Sequence, residues 1–133
     1  MLKKGGCILI NSQKEVALVY RDKLNDYTFP KGHIEPYETI KECALRETIE
    51  ETGRECVLLT NEPIAINKYT NYEGEIITYL YLAKDTGKTK RNIAEKDKET
   101  FRWIPFDEVA NTLTYPDLKA TWQEAIDIIK PYL

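Results

Sequence analysis

The sequence predicts an α/β fold, a mixed β-sheet lying between helices. Three observations lead there: short apolar runs separated by turn residues, one helix signalled at both ends, and an amphipathic helix near the C-terminus. At 133 residues the chain suits one domain spanning 1–133, long enough to bury a real core. No linker, repeat or low-complexity tract divides it.

Residues 6–10 and 16–20 are apolar runs around Asn11, Ser12, Gln13 and Lys14, the pattern of two strands and a hairpin turn. Residues 21–26 are polar and read as a loop. Residues 29–32 join a rigid proline to a permissive glycine, which predicts a turn. Thr39 with Glu42 three residues later forms a capping box, and Gly53 ends the helix that it opens. Strands are predicted over 57–59, 63–69, 75–83 and 101–104, with an exposed charged loop over 84–99. A short helix runs from 106 to 111. Leu118, Trp122, Ala125, Ile126 and Ile129 then recur at helical spacing until Pro131 stops the helix.

Composition narrows the function. Nineteen basic residues against 22 acidic ones give a net charge of −3, with no overall pull toward nucleic acid or an anionic membrane. Cys7, Cys43 and Cys56 are odd in number and form no CxxC pair, which points inside the cell, and Cys7 and Cys43 read as core thiols. The first residues lead into a strand without the apolar stretch of a signal peptide, and the run 76–83 is too short to span a bilayer. A soluble, cytoplasmic protein is expected. His33 is the only histidine, which excludes a Ser-His-Asp triad, a Cys-His pair and a histidine-rich metal site. Hydrolytic chemistry here must use carboxylates and a hard metal.

The helix after Thr39 supplies the carboxylates. At 100° per residue, Leu45, Thr48, Ile49 and Thr52 fall on a side expected to pack on the sheet. Glu47, Glu50 and Glu51 fall together within an arc of roughly 100°, and Ala44 in the same arc leaves room above it. Each like-charged pair repels by about 0.2–0.5 kcal/mol when exposed. A divalent cation reverses that sign, and oxygen-only ligands select Mg²⁺ or Mn²⁺ over zinc. The alternative is a solvated acidic face softened by an Arg46–Glu50 pair.

Spacing favours the first reading. Gly32, Glu38, Arg46-Glu47, Glu50-Glu51 and Gly53 stand at the intervals of the Nudix box, seven fixed positions in all, over residues 32–54. Thr48 and Arg54 depart from two aliphatic positions of the box; Arg54 weakens the packing just past the helix, and Val57 is expected to compensate. Beyond the box, Phe-Pro-Lys-Gly-His-Ile-Glu-Pro at 29–36, Ala-Leu-Arg-Glu-Thr at 44–48, Phe101-Arg102-Trp103 and the run 115–124 resemble the diadenosine tetraphosphate hydrolase branch.

The resemblance implies a Nudix-type α/β/α sandwich and divalent metal, Mg²⁺ or Mn²⁺. It makes Glu47, Glu50 and Glu51 metal ligands, helped by the backbone carbonyl at Gly32 or Lys31, with Arg46 orienting Glu47 and Glu38 at the edge of the cluster. Two acids compete as general base: Glu47 within the box, and Asp97 before Trp103, with Glu95 and Glu99 as neighbours able to substitute. Lys31 is placed to meet a phosphate, or is a solvated loop lysine. Tyr69 stacks on a purine, or packs in the sheet. Tyr115 and Lys119 are weaker binding candidates that suit a helix entry equally well, and Tyr27 lies at the mouth of the cleft. Lys84, Lys88, Lys90 and Arg91 form a basic lid or a solvated run. The implied partner is a small-molecule nucleotide, with no membrane. Three readings stand: a dinucleoside polyphosphate hydrolase, a nucleoside triphosphate or RNA 5′-end pyrophosphohydrolase, and a nucleotide sensor without catalysis.

Overall fold

In the computed structural model, residues 1–90 and 99–133 are described, with the backbone alone at 99. The hairpin turn forms as its sequence predicts. The Asn11 side chain accepts the backbone N–H groups of Gln13 and Glu15 at 3.0 and 2.9 Å, and Lys14 takes a left-handed φ of 61°. The turn joins β1 (Leu2–Ile10) to β2 (Glu15–Arg21).

Two predicted irregular stretches contain short strands instead. β3 (Asp26–Thr28) pairs with β2, and β4 (Lys31–His33) pairs with β1 through Lys4↔His33, Gly5↔Gly32 and Gly6↔Lys31. Three residues are too few to show a period of two, so neither strand carries a sequence signature. β2 meets β1 near Ile10, leaving the edge around Lys4–Gly6 for β4.

Helix α1 (Ile40–Thr52) has both ends as expected. Thr39 and Glu42 make the reciprocal capping box, and Gly53 closes the helix at φ 66°, donating its N–H to the Ile49 carbonyl. Its packed face is rotated from expectation: Cys43, Ala44, Glu47, Thr48 and Thr52 are buried, while Leu45 and Ile49 are half-buried. Ala44 leaves no room above it; it packs with Cys7, Leu9, Tyr81 and Ala83.

β5 (Arg54–Leu58), β6 (Ala65–Asn71), β7 (Gly74–Thr89) and β8 (Glu99–Pro105) complete a sheet of eight strands among the described residues. β1 and β7 run parallel from Leu2↔Ile76 to Ile10↔Lys84; the other pairs are antiparallel. β7 continues six residues past the predicted strand end at 83, because β5 pairs with it there and β6 pairs with its first half. Lys84 and Lys88 therefore lie along β7 at the β5 end, and Arg91 lies outside the described residues. At the same end Arg54 grips Asp85 with Nε–Oδ1 2.7 Å and Nη2–Oδ2 2.8 Å. Val57 does not compensate, since it is 52 % exposed.

A 3₁₀ turn (Phe106–Glu108), α2 (Val109–Thr112) and α3 (Pro116–Ile129) follow. Leu118, Trp122, Ala125 and Ile129 pack on Ile8, Ile10, Leu80 and Leu82, with Phe29 and Phe106 rings 6.0 and 5.1 Å from Trp122. Alternate residues of β1 thus face opposite cores. Cys7 and Leu9 face α1, and Ile8 and Ile10 face α3, giving the expected α/β/α sandwich. No helix among the described residues is long and apolar enough to cross a membrane.

Candidate active site

The acids of the site come from α1 on one face of the sheet, Lys4 and Lys31 belong to the opposite face, and they meet at the edge strand β4. Gly32 pairs with Gly5 on the α1 side of the sheet, and a Cβ built on Gly32 would lie 2.0 Å from Glu47 Oε2. Only hydrogen fits there, which accounts for the box glycine. Glu51 approaches the same strand, accepting the Lys31 backbone N–H at Oε1 (3.1 Å).

Arg46 organises the acids. Its Nε and Nη2 hold the two oxygens of Glu38 at 2.6 and 3.0 Å. Nη1 reaches Glu47 Oε2 at 3.3 Å and the Glu50 carboxylate at 3.2 and 3.3 Å, and Nη2 also donates to the His33 carbonyl. A planar guanidinium offers five donors in a fixed fork, so one side chain can set several carboxylates at once. The Glu38 hydrogen bond, against some desolvation, raises the Arg46 pKa, and Arg46 holds the Glu38 carboxyl below its ordinary range. Glu38 thus acts on Arg46.

A cleft of about 350 Å³ is lined by Glu47 and Glu51 on one side and by Lys4, Arg21 and Lys31 on the other. It continues into a second cleft of about 540 Å³, sharing Lys4, Arg21, Thr28, Lys31 and His33, whose far wall carries Asn67, Tyr69, Tyr72 and Tyr115. Burial, then the charges of Lys4 and Arg21, push the Lys31 ammonium below the usual lysine range. Asp26, fully buried, is gripped by Arg21 at 2.8 and 2.6 Å and by the Tyr115 hydroxyl.

The structure thus brings Glu47, Glu51, Gly32, Lys31, Tyr69 and Tyr115 to one continuous cleft, with Arg46, Glu50 and Glu38 behind the acids. Lys119 stands apart, its Nζ donating to the Ala110 carbonyl at 2.5 Å. Tyr27 packs on Tyr20 with centroids 4.9 Å apart. Asp97 and Glu95 lie outside the described residues, as does the side chain of Glu99. Among the described residues no three His, Cys, Asp or Glu side chains form a ready-made cage for an ion. Glu47 and Glu51 nonetheless offer oxygen donors to one cavity, the chemistry a hard divalent cation takes.

Sequence reasoning missed Lys4, Arg21, His33 and Asn67 as cleft residues. A signal for Lys4 existed in the period of two, since it shares its face of β1 with the buried Ile8 and Ile10.

Comparison with known proteins identifies the family and agrees with the fold. The NUDIX domain model matches residues 4–125. Mouse bis(5'-nucleosyl)-tetraphosphatase [asymmetrical] is 33 % identical over 108 residues, covering 77 % of this chain and 71 % of that protein. An 8-oxo-(d)GTP phosphatase of Mycolicibacterium smegmatis is 34 % identical over 103 residues, covering 77 % of this chain and 31 % of that longer protein. A Caenorhabditis elegans Ap4A hydrolase, solved as a binary complex, superposes with a TM-score of 0.79 at 17 % identity, over 98 % of this chain and 99 % of that one. Nudix hydrolases generally use divalent metals such as Mg²⁺. With nearly the whole of β1 to α3 inside the family model, this chain belongs to the Nudix hydrolase family.

Proposed function

We propose that the protein hydrolyses dinucleoside polyphosphates, with diadenosine tetraphosphate cut to ATP and AMP. The carrying observation is the order of groups along the cleft: carboxylates, then three cations, then tyrosines. A polyphosphate between two nucleosides has the matching order of charge and aromatic surface. The identity to the mouse tetraphosphatase supports the same substrate class.

Glu47, Glu50 and Glu51, with the Gly32 carbonyl, would hold Mg²⁺ or Mn²⁺. Such metal neutralises phosphate charge, acidifies the attacking water and stabilises the leaving phosphate. Arg46 aims Glu47, since its Nη1 donates to Oε2. Lys31 holds phosphate oxygens beside the acids, and Tyr69 stacks on one adenine, worth about 1–3 kcal/mol by analogy with base–aromatic stacking in single-strand binders. Tyr115 lines the same wall, fixed through Asp26. Water attacks phosphorus, the bridging P–O bond breaks, and the water proton passes to the base. Glu47 and Asp97 are the two candidates for that base.

A second reading, hydrolysis of an oxidised nucleoside triphosphate, draws on the identity to the Mycolicibacterium smegmatis phosphatase. A panel of dinucleoside polyphosphates, nucleoside triphosphates, ADP-ribose and triphosphorylated RNA, with products identified, tests the choice. ATP and AMP from diadenosine tetraphosphate as the preferred reaction supports the first reading. Preference for an oxidised triphosphate supports the second.

A further inference from the structure

Lys4 is a buried cation of the cleft to which the activity proposed above gives no individual task. It is 9 % exposed, it lines both parts of the cleft, and it stands opposite His33 in the pairing of β1 with β4. Its hydrogen bond among the described residues goes to a neutral group, the Tyr69 hydroxyl, at 3.1 Å. Burying an ammonium is costly unless an anion accompanies it. Lys31 adds a second positive charge in the same cavity. Arg21 differs from both, because Asp26 already neutralises it through two hydrogen bonds.

The bond to Tyr69 has a second consequence. Lys4 Nζ is 5.8 Å from the ring centroid and 3.1 Å from the hydroxyl oxygen, so it lies outward along the C–O direction. It leaves the faces of the ring clear for stacking while fixing the ring's tip.

We propose that Lys4 and Lys31 form a phosphate subsite on the wall of the cleft facing the carboxylates, and that Lys4 couples this subsite to the Tyr69 ring. This inference rests on the reading of the cleft as a polyphosphate site. Lys4 holds the phosphate next to Tyr69 and, through the phenol, sets the ring against the base that follows it. The subsite is chemically a phosphate-anion site and takes its ligand without metal.

Calorimetric titration of inorganic tripolyphosphate into the full chain, in chelator, tests this directly. Wild type is expected to bind, with affinity falling roughly tenfold or more in Lys4→Met and partly recovering in Lys4→Arg. If Lys4→Met does not fold, Lys4→Gln replaces it in the same titration. Kinetics on diadenosine tetraphosphate then read the coupling. Lys4→Met and Tyr69→Phe are each expected to raise KM more than they lower kcat, with the double variant costing less than the product of the two. No tripolyphosphate binding by wild type, or equal binding by a folded Lys4 variant, overturns the subsite. Independent effects in the double variant overturn the coupling. Wild-type preference for another nucleotide, with tripolyphosphate binding still dependent on Lys4, refutes the substrate reading alone.

Discussion

Gly32 and Glu47 approach so closely that a methyl group on the glycine would lie 2.0 Å from Glu47 Oε2 and 2.1 Å from its Cδ. Edge strand β4 and helix α1 are thereby locked at the point where carboxylates enter the cleft. The clashing atoms are the tip of a flexible side chain, so Gly32→Ala should fold with Glu47 displaced. We expect a Tm within a few degrees of wild type and a kcat lowered roughly 100-fold, the scale of a mispositioned catalytic group. Thermal melting beside steady-state kinetics checks both halves. Unchanged kcat would show that the contact does not place Glu47 for catalysis.

Metal dependence follows from the oxygen-only donor set. Turnover should vanish in chelator and return with Mg²⁺ or Mn²⁺. Glu47→Gln and Glu51→Gln keep shape and remove charge, so each should lower kcat by roughly 10²–10⁴. Full activity after exhaustive chelation, or near wild-type kcat in both variants, would make the acids a structural partner of Arg46 and no more.

Asp26 should make the fold sensitive to acid. Burial disfavours its ionised form, but the hydrogen bonds from Arg21 and then Tyr115 outweigh that and hold its pKa below the ordinary value. A carboxyl lowered on folding stabilises fully above its unfolded pKa of about 3.9 and loses that contribution as pH falls through the folded value. Asp26→Asn should cost about 1.5–3 kcal/mol near neutral pH, the worth of hydrogen bonds to a charged group. The gap from wild type should narrow below about pH 4. Denaturant unfolding across pH measures it, and a gap that stays constant would contradict the linkage.

Local signals were legible where a segment carries its own physics. Thr39, Glu42 and Gly53 mark both ends of α1 through backbone hydrogen bonds that need no distant partner. The spacing of Glu47, Glu50 and Glu51 likewise puts them together without tertiary help. What stayed hidden depends on pairing across the chain. β4 exists because β2 leaves part of β1 uncovered, and the charged end of β7 is a strand because β5 pairs there and Arg54 holds Asp85. Lys4 carries no local sign of its role, since only the meeting of β1 and β6 through β7 brings it to Tyr69, 65 residues away.

Substrate choice is tested most directly by kcat/KM for diadenosine tetraphosphate against ATP, on purified protein with Mg²⁺. Four phosphates give the cations of the cleft more to hold than three, and the second adenosine gives the tyrosine wall a base. Diadenosine tetraphosphate is expected to have the higher kcat/KM, to yield ATP and AMP, and to lose most of that advantage in Lys31→Ala and Tyr69→Ala, the latter mainly through KM. Equal or faster turnover of ATP would contradict it.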